Sequence, residues 1–336
     1  MVDKTHAPDS LASIEEFIQL KNESVIATKD GIYFLDTESQ KLKKYYQFTK
    51  KYVSTINFSK TVDGSKLLVN TSSGQATIAL LFQINTSTLH IDWLATHKGA
   101  LKDATYANAA NKIAIGTGYS KAREEMIYEK EPKPAAYYAT LFTVNAENGA
   151  FESYFEQGES VGNVFFSAND KSIYSVLGWP HVDTFLWNVS NTKEKIGFFG
   201  KDQTRFYNGF ELNDRYFLTI ADNGLYKWDK TNAEVITLMY DGNMNPYDAI
   251  LQIDENYVIV SYANGTSNPP TVKYFDKNIA ITDTVPLETP LHHIHSTDRN
   301  FSGITNKDEI YFYNLDTKKI EKIITKAALQ QLMMRN

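Results

Sequence analysis

The phrase "GIYFLDTESQKL", which begins at Gly31, returns near the end of the chain as "EIYFYNLDTKKI", which begins at Glu309. Each copy combines an aromatic-rich, strand-like segment with an Asp or Asn and a tight-turn sequence. The pattern occurs seven times, about once every 46 residues, and a period of this size indicates a repeat architecture. The Asp and Asn residues of the seven copies are Asp36, Asn85, Asn145, Asn188, Asp229, Asp276 and Asn314.

A second turn centred on Asp or Asn precedes each of these segments. Short runs rich in β-branched and aromatic residues lie on both sides of it, as in "NVFFS" and "SIYSV". Each repeat is therefore predicted to contain four short antiparallel strands, a to d, with one such turn between a and b and the other between c and d. The residues at the a–b turns are Asn22, Asp63, Asn111, Asn169, Asn213, Asp254 and Asp298.

Seven such repeats predict an all-β fold, a seven-bladed β-propeller with four-stranded antiparallel blades. One small sheet cannot bury both of its faces, whereas seven sheets packed face to face can. The predicted propeller covers residues 11–325, between an N-terminal tail of residues 1–10 and a C-terminal helical tail of residues 326–336. Because "KIEKIITK" supplies strand d of the last repeat, the ring does not require a strand from the N-terminus, and the sequence leaves the way it closes open. Two β-sandwiches are the alternative, although they require no seven-fold repeat.

The segment "ESYFEQGESVGNVFFSANDKSIYSV", followed by "TFLWNVSNTKEKI", resembles repeats of the WD-repeat and YVTN-type β-propeller superfamily. The shared features are a Gly between strands d and a, an Asx turn between a and b, and an aromatic residue before the next Asx. "KWDK" at 227–230 is similar to the WD dipeptide, but the His that follows Gly in standard WD repeats is absent, and most copies lack the Trp. The resemblance implies a propeller over roughly residues 11–325 and no particular activity.

Charge and composition restrict the class of partner. The formal net charge of −6 disfavours nucleic acid, whose phosphates require a basic surface. No apolar stretch approaches the length that spans a bilayer, and no secretion signal is visible. The absence of Cys excludes disulfides and thiolate metal sites. We therefore expect a monomeric cytoplasmic protein without a cofactor, which binds another protein and neither nucleic acid nor membrane. An exported protein whose signal has been removed is the alternative.

The connections between strands b and c differ in length between repeats, and this difference predicts the binding face. They are minimal in repeats 1, 5 and 7 but long in repeat 3 ("YSKAREEMIYEKEPKPAAYY"), repeat 4 ("GWPHVD") and repeat 6 ("YANGTSNPPT"). Loops elaborated on one face of a repeat protein usually mark its binding face. The predicted partner-binding residues are Arg123, Glu124, Tyr128, Trp179, His181, Tyr262 and Asn264.

Three of these features have structural alternatives. The loop of repeat 3 is either a binding element or a solvated loop that tolerates its length. Trp179, beside Pro180, is either a rigid interface anchor or a side chain packed under that loop. The tail helix, which has Leu329, Leu332 and Met333 at helical spacing, either docks on its own propeller or presents a motif to a partner.

A metal-dependent hydrolase or lactonase with its site at the channel mouth is the alternative function. His293 and His295 in "LHHIHSTD" project to one side of a strand, a spacing that suits zinc. Glu159 and Asp241, from connections between strands d and a, add carboxylates around the same mouth. The chain contains no GxSxG, Gly-rich phosphate loop or HExxH motif. The sequence therefore favours a non-enzymatic adaptor or inhibitor without a metal, and these four residues are the candidates if a metal binds.

Overall fold

The structure is a computed structural model that describes residues 2–4, 10–39, 41–48, 55–72, 79–97, 100–118, 140–155, 157, 160–177, 183–199, 206–213, 215–221, 224–231, 235–241, 249–253, 256–261, 269–297 and 299–334. Within these ranges the chain forms 29 β-strands and one helix. The strands make seven antiparallel sheets, each built from four consecutive strands, and one sheet gains a fifth strand. The predicted all-β, seven-bladed β-propeller with a short C-terminal helix is confirmed.

The first four blades follow one another along the chain after β1 (Val2–Lys4). Blade 1 contains β2 (Ile14–Gln19), β3 (Glu23–Thr28), β4 (Gly31–Asp36) and β5 (Leu42–Gln47). Blade 2 contains β6 (Thr55–Lys60), β7 (Lys66–Ser72), β8 (Ala79–Asn85) and β9 (His90–His97). Blade 3 contains β10 (Leu101–Tyr106), β11 (Lys112–Thr117), β12 (Leu141–Asn145) and β13 (Phe151–Tyr154). Blade 4 contains β14 (Val161–Phe166), β15 (Ser172–Leu177), β16 (Thr184–Asn188) and β17 (Lys195–Phe199).

The remaining three blades have the same strand order, and the helix follows the last of them. Blade 5 contains β18 (Phe206–Glu211), β19 (Tyr216–Ala221), β20 (Gly224–Asp229) and β21 (Val235–Asp241). Blade 6 contains β22 (Ala249–Ile253), β23 (Asn256–Ser261), β24 (Thr271–Phe275) and β25 (Ile281–Pro286). Blade 7 contains β26 (Leu291–Thr297), β27 (Asn300–Thr305), β28 (Ile310–Asn314) and β29 (Lys319–Ile324), and helix α1 covers Lys326–Met334.

The Asx residues that define the repeat cap the turns between strands c and d. In all seven blades the side-chain oxygen accepts a hydrogen bond from the backbone N–H two residues further on, at 2.9–3.2 Å. This is the local bond for which short polar side chains are selected at turns. Among the a–b turns, Asp63, Asn169 and Asn213 cap in the same way. Asp254 and Asp298 lie outside the described residues.

The chain divides into two compact units. One comprises Met1–Lys50, Asp222–Gly224 and Met239–Asn336, and the other comprises Lys51–Ala221 and Leu225–Leu238. In the second unit, β10 contacts β6 and β7 of the preceding blade and β14 of the following one. Apolar clusters fill the junctions between successive blades, and each of the three contains one Trp. Trp228, which is 1% exposed, donates its indole N–H to the Thr219 hydroxyl at 2.7 Å. Successive blades of this unit are therefore joined by sheet-on-sheet packing.

In the first unit, blade 1 packs directly on blade 7. We call this junction the seam, and its apolar cluster consists of Leu11, Ile14, Phe17, Ile26, Tyr33, Leu35, Tyr45, Ile304, Ile310, Ile324 and Leu329. Phe17 meets Phe312 edge to face, with ring centroids 5.5 Å apart. Each of the two sheets is made from its own consecutive strands, while β1 extends blade 1 by pairing with β5. The seam is thus formed without a strand exchanged from the N-terminus.

Helix α1 docks on the seam. Thr325 precedes it, and its hydroxyl accepts from the Ala328 N–H at 3.2 Å, an N-cap bond that fixes where the helix begins. Leu329 is only 1% exposed within the seam cluster, and Lys326 Nζ donates to Asp308 Oδ2 at 2.9 Å. Of the two uses considered for the tail helix, the structure shows docking on its own chain.

Candidate functional site

The long b–c connections lie at the end of each blade opposite to the capped turns, because neighbouring strands are antiparallel. Residues 118–140 join β11 to β12 in blade 3, residues 178–183 join β15 to β16 in blade 4, and residues 262–270 join β23 to β24 in blade 6. In blades 1 and 5 only residues 29–30 and 222–223 make the same connection. The predicted partner-binding residues all lie outside the described residues, namely Arg123, Glu124, Tyr128, Trp179, His181, Tyr262 and Asn264.

Of the four metal candidates, the structure describes the side chains of two. Glu159 lies outside the described residues, and for Asp241 only its place at the end of β21 is described. His293 and His295 lie in β26, the first strand of blade 7. Within the part of the chain that the structure describes, no three carboxylate or imidazole groups are arranged to hold a metal ion. The two imidazoles instead contact a residue that the sequence did not single out, Glu16 of blade 1.

Glu16 lies between the two histidines across the seam. Its Oε2 is 2.9 Å from His293 Nδ1, and its Oε1 is 3.0 Å from His295 Nε2. The Glu16 side chain is 3% exposed, so the carboxylate depends on these two rings for its charge partners. Oε1 also accepts from the Phe17 N–H at 2.9 Å. We call Glu16, His293 and His295 the clasp.

An irregular strand register places both ends of the clasp. In β2 the pairing with β3 shifts between Ile14 and Glu16, and in β26 the pairing with β27 shifts between His292 and His295. Within the second irregularity His293 has a φ of 52°, a left-handed conformation that is costly for a residue with a side chain. A β-bulge re-aims the side chains beside it, and here the bulge lets two histidines reach one carboxylate.

The charges of the clasp shift its pKa values. Burial alone would raise the pKa of Glu16, but His295 and His293 outweigh burial and lower that pKa to about 2. Burial would lower the pKa of His293, but the Glu16 carboxylate outweighs it, and the net shift is upward. The neighbouring His292 behaves differently, because burial and the adjacent His293 charge lower its pKa to about 4. Near neutral pH the site therefore holds an ionised Glu16 and a neutral His292, and the Glu16 carboxylate favours the protonated form of His293.

Polar side chains at the equivalent place bridge blades in the second compact unit too. Register shifts also mark the first strands of blades 3, 4 and 5, where Asp103, Asn163 and Asn208 stand at the shift. Asp103 Oδ2 accepts from the Val164 N–H in β14 at 2.9 Å, and Asn57 Nδ2 donates to the Lys102 carbonyl in β10 at 3.1 Å. One edge of the first strand in a blade has no neighbouring strand in its sheet. The side chains of Asp103 and Asn57 therefore form hydrogen bonds with backbone groups that strand pairing leaves without a partner.

The buried position of Asp103 between two blades changes the pKa of its carboxyl group. Burial raises its pKa to about 6, although the amides of Val164 and Ala104 that donate to it act in the opposite direction. The sequence contains the signal for these residues, since a polar residue followed by an apolar one recurs in "EEF", "INF", "DAT", "NVF" and "NGF" near the start of strand a. One polar side chain within a six-residue strand is a weak signal beside the repeated turns, so the sequence did not predict these residues.

A groove of about 580 Å³ lies between blades 2 and 3, at the end that carries the capped turns. Its walls include Lys66, Asp92 and Glu147. Gln83 Nε2 donates to Asp92 Oδ2 at 3.0 Å, the Tyr106 hydroxyl donates to Gln83 Oε1 at 2.8 Å, and Lys66 forms an ion pair with Asp92. Because these groups satisfy one another, they explain the junction of the two blades, and we assign the groove no ligand.

Comparisons with known proteins agree on the fold. No protein-family model matches the sequence, and no curated protein matches it. The computationally designed Ika8 protein is 12% identical, covers 93% of this chain and 87% of its own, and superposes with a TM-score of 0.64. Dihydro-heme d1 dehydrogenase NirN, solved in complex with DHE, is 12% identical, covers 95% of this chain and 67% of its own, and has a TM-score of 0.61. At identities this low, the two superpositions show a shared β-propeller fold and nothing about activity.

In the described ranges, no helix has the length and apolar character needed to cross a membrane.

Proposed function

We propose that this chain is a non-enzymatic, cytoplasmic β-propeller of the WD-repeat or YVTN type that binds another protein through its b–c loops. The binding face is the end of the blades that carries the connections of blades 3, 4 and 6. The observation that supports this proposal is a contrast between the two ends of the same sheets. At one end the c–d turns are similar in all seven blades, whereas at the other end the b–c connections differ in length from blade to blade.

The c–d turns are explained by the folding of each blade and need no role in binding. All seven c–d turns use the same side-chain cap, and they span four to six residues between their strands. Two-residue connections in blades 1 and 5 prove that the b–c end needs no longer loop to join its strands. Residues 118–140, 178–183 and 262–270 therefore contribute chain that strand pairing does not require, and extra loop length confined to one face is typical of a binding surface.

The residue types in these loops suit protein recognition. Trp, Tyr and Arg dominate the binding energy of protein interfaces, because they offer large, stiff contact surfaces with a polar end. Trp179 of blade 4, Tyr262 of blade 6 and Arg123 and Tyr128 of blade 3 supply these types in the three long connections. We propose Glu124, His181 and Asn264 as their polar neighbours at the rim of the interface.

Deleting residues 121–134 tests the proposal. We expect the shortened protein to fold, because changing the length of a surface loop costs about 0.6 kcal/mol per doubling in chain entropy. We expect it to lose the partner that the full-length protein retains when both are expressed with an affinity tag in the native cell. The measurement is quantitative mass spectrometry of the captured proteins, with thermal unfolding as the check on folding.

Glu147→Lys is the matched control, because Glu147 lies exposed in the c–d turn of the same blade, at the opposite end. This variant should capture the partner as the full-length protein does. Equal capture by the deletion variant would remove residues 121–134 from the interface. Loss of capture with the Glu147→Lys control alone would place the interface at the other end.

A further inference from the structure

One buried residue in the second compact unit contacts both blade 3 and blade 4 at the end that carries the long b–c connections. Gln157 lies in the connection between β13 and β14 and is 4% exposed. Its backbone carbonyl accepts from the Thr140 hydroxyl of blade 3 at 2.8 Å. Its side-chain Oε1 accepts from the Ser175 hydroxyl at 2.7 Å and from the Trp187 indole N–H at 3.0 Å, both in blade 4.

The partners of Gln157 stand where the two long connections join their sheets. We call the backbone hydrogen bond that closes each connection its stem. In blade 3 the Thr117 N–H donates to the Thr140 carbonyl at 2.8 Å, and in blade 4 the Leu177 N–H donates to the Asp183 carbonyl at 2.9 Å. Thr140 is therefore part of the blade 3 stem, and the bonded hydroxyl of blade 4 lies two residues before Leu177. A single residue thus adjoins both stems.

The oxygen of the Gln157 side chain is the atom that joins the two blades. An indole N–H only donates, so the atom of Gln157 that faces Trp187 must be the oxygen. Trp187 also donates to the Ser175 hydroxyl at 3.1 Å, so the three side chains form a closed triangle. Gln157 Nε2 is buried and has no acceptor among the described residues. Because a buried donor without an acceptor lowers stability, stability alone does not explain a glutamine here.

Blade 5 contains a similar indole–hydroxyl pair beside a short connection. Trp228 in β20 donates to the Thr219 hydroxyl in β19 at 2.7 Å, and only residues 222–223 join these two strands. This pair lies within a single blade, as the pair of Trp187 and Ser175 does. The pair therefore belongs to the folding of a blade. The bridging glutamine is found between two neighbouring blades whose b–c connections are both long.

We propose that Gln157 is a positioning residue that fixes the spacing between the stems of blades 3 and 4, so that the two long connections bind the partner as one surface. The inference rests on the proposed function, because it concerns the same binding face. It requires a partner that contacts both connections at once, through residues such as Arg123 and Tyr128 of blade 3 and Trp179 of blade 4. Supports of this kind favour binding because the contact residues are held in place before the partner arrives.

Two substitutions of Gln157 separate positioning from a purely structural role. Gln157→Leu removes the acceptor oxygen but keeps an apolar side chain beside the cluster that includes Phe155 and Val161. We expect it to fold, because Trp187 keeps its bond to the hydroxyl of blade 4. Gln157→Glu keeps an acceptor for both donors but buries a carboxylate, so we expect it to melt at a lower temperature than Gln157→Leu. The expected order of stability is therefore opposite to the expected order of partner capture.

Amide hydrogen exchange tests the stems without a partner. Protection is followed in peptides that cover β11 and β15 and is expressed relative to β19 of the same variant, which corrects for changes in global stability. We expect Gln157→Leu to lower the relative protection of both stems several-fold, and Gln157→Glu to leave it at the level of the unmodified protein. Unchanged relative protection in Gln157→Leu would overturn the proposal, as would a loss confined to one stem.

Partner capture tests the consequence for binding. The probe is the protein that the full-length chain retains in its native cell and that the variant without residues 121–134 loses. We expect Gln157→Leu to capture several-fold less of it, and Gln157→Glu to capture as much as the full-length chain does. Thr219→Val is the matched control, because it removes the acceptor of the blade 5 indole and should lower stability without lowering capture.

The outcomes distinguish this inference from the proposed function on which it rests. Full capture by Gln157→Leu would overturn the inference and leave the binding face in place. An equal loss of capture in Thr219→Val would overturn it too, because any weakened blade would then have the same effect. Undiminished capture by the variant without residues 121–134 would overturn the proposed function, and the inference with it, before any Gln157 variant is compared.

Discussion

Deletion of residues 298–336 is expected to abolish cooperative folding. The deletion removes β27, β28, β29 and helix α1, and with them one side of the seam and one side of the junction between blades 6 and 7. Eight buried side chains of these two clusters are lost: Ile304, Ile310, Ile324, Leu329, Phe301, Tyr311, Tyr313 and Leu315. At roughly 1.5–3 kcal/mol for each of the eight buried side chains, the gross loss is roughly 12–24 kcal/mol, which is at least as large as the whole stability of a typical domain.

The deletion also leaves apolar surface uncovered on both remaining neighbours. Leu11, Ile14 and Phe17 of the blade 1 side would face water, as would Val258 and Val260 of blade 6. We expect insoluble protein, or soluble protein without near-ultraviolet circular dichroism and without a thermal transition. A chain that lacks only residues 335–336 is the control and should melt as the full-length protein does. A soluble deletion variant with a sharp melting transition would show that blade 7 is not needed to complete the fold.

Replacing Phe17 by Ala is expected to lower the free energy of unfolding by about 3–5 kcal/mol, the range for large aromatic-to-alanine changes in cores. Phe17 is 1% exposed, packs in the seam cluster and meets Phe312 edge to face. Its removal leaves a cavity next to Glu16, and the surrounding strands cannot close it without shifting the clasp. The effect of this substitution therefore combines lost burial with lost packing.

Phe151→Ala is the matched control, because Phe151 is 50% exposed on β13 and loses far less burial. We expect it to change the free energy of unfolding by less than about 1 kcal/mol, as exposed positions usually do. Both variants are compared with the parent protein by chemical denaturation, with the midpoint and slope recorded for each. Similar losses from the two substitutions would mean that the seam contributes little to stability, and the packing described for it would be wrong.

The architecture could be predicted from the sequence because it rests on local chemistry that repeats. An Asp or Asn that caps its own turn forms its hydrogen bonds with the next few residues only. The same turn can therefore be recognised from the local sequence at Asp36 and at Asn314, at opposite ends of the chain. Seven copies of such a turn fix the number and order of the strands. The docking of helix α1 was one of two uses that its apolar positions allowed, and Leu329 in the seam cluster is the contact that decided it.

The clasp could not be predicted in the same way. His293 and His295 were noticed as a pair, and a pair of histidines two positions apart is typical of metal sites. Their actual partner, Glu16, is at the other end of the chain and is brought near only when blade 1 meets blade 7. Strand β1 was also missed, because three residues, Val2–Lys4, are too few to show a strand pattern, and their pairing with β5 is decided by the edge that β5 leaves free.

Cross-linking of the partner to this protein is the measurement that tests the central claim most directly. The complex is isolated from the native cell with the full-length chain, treated with a lysine-reactive cross-linker and analysed by mass spectrometry. The proposal predicts partner cross-links at Lys121, Lys130 and Lys133 of the blade 3 loop. Partner cross-links confined to Lys66, Lys171 and Lys230, which lie at the capped turns of the opposite end, would contradict it, as would the recovery of no partner protein at all.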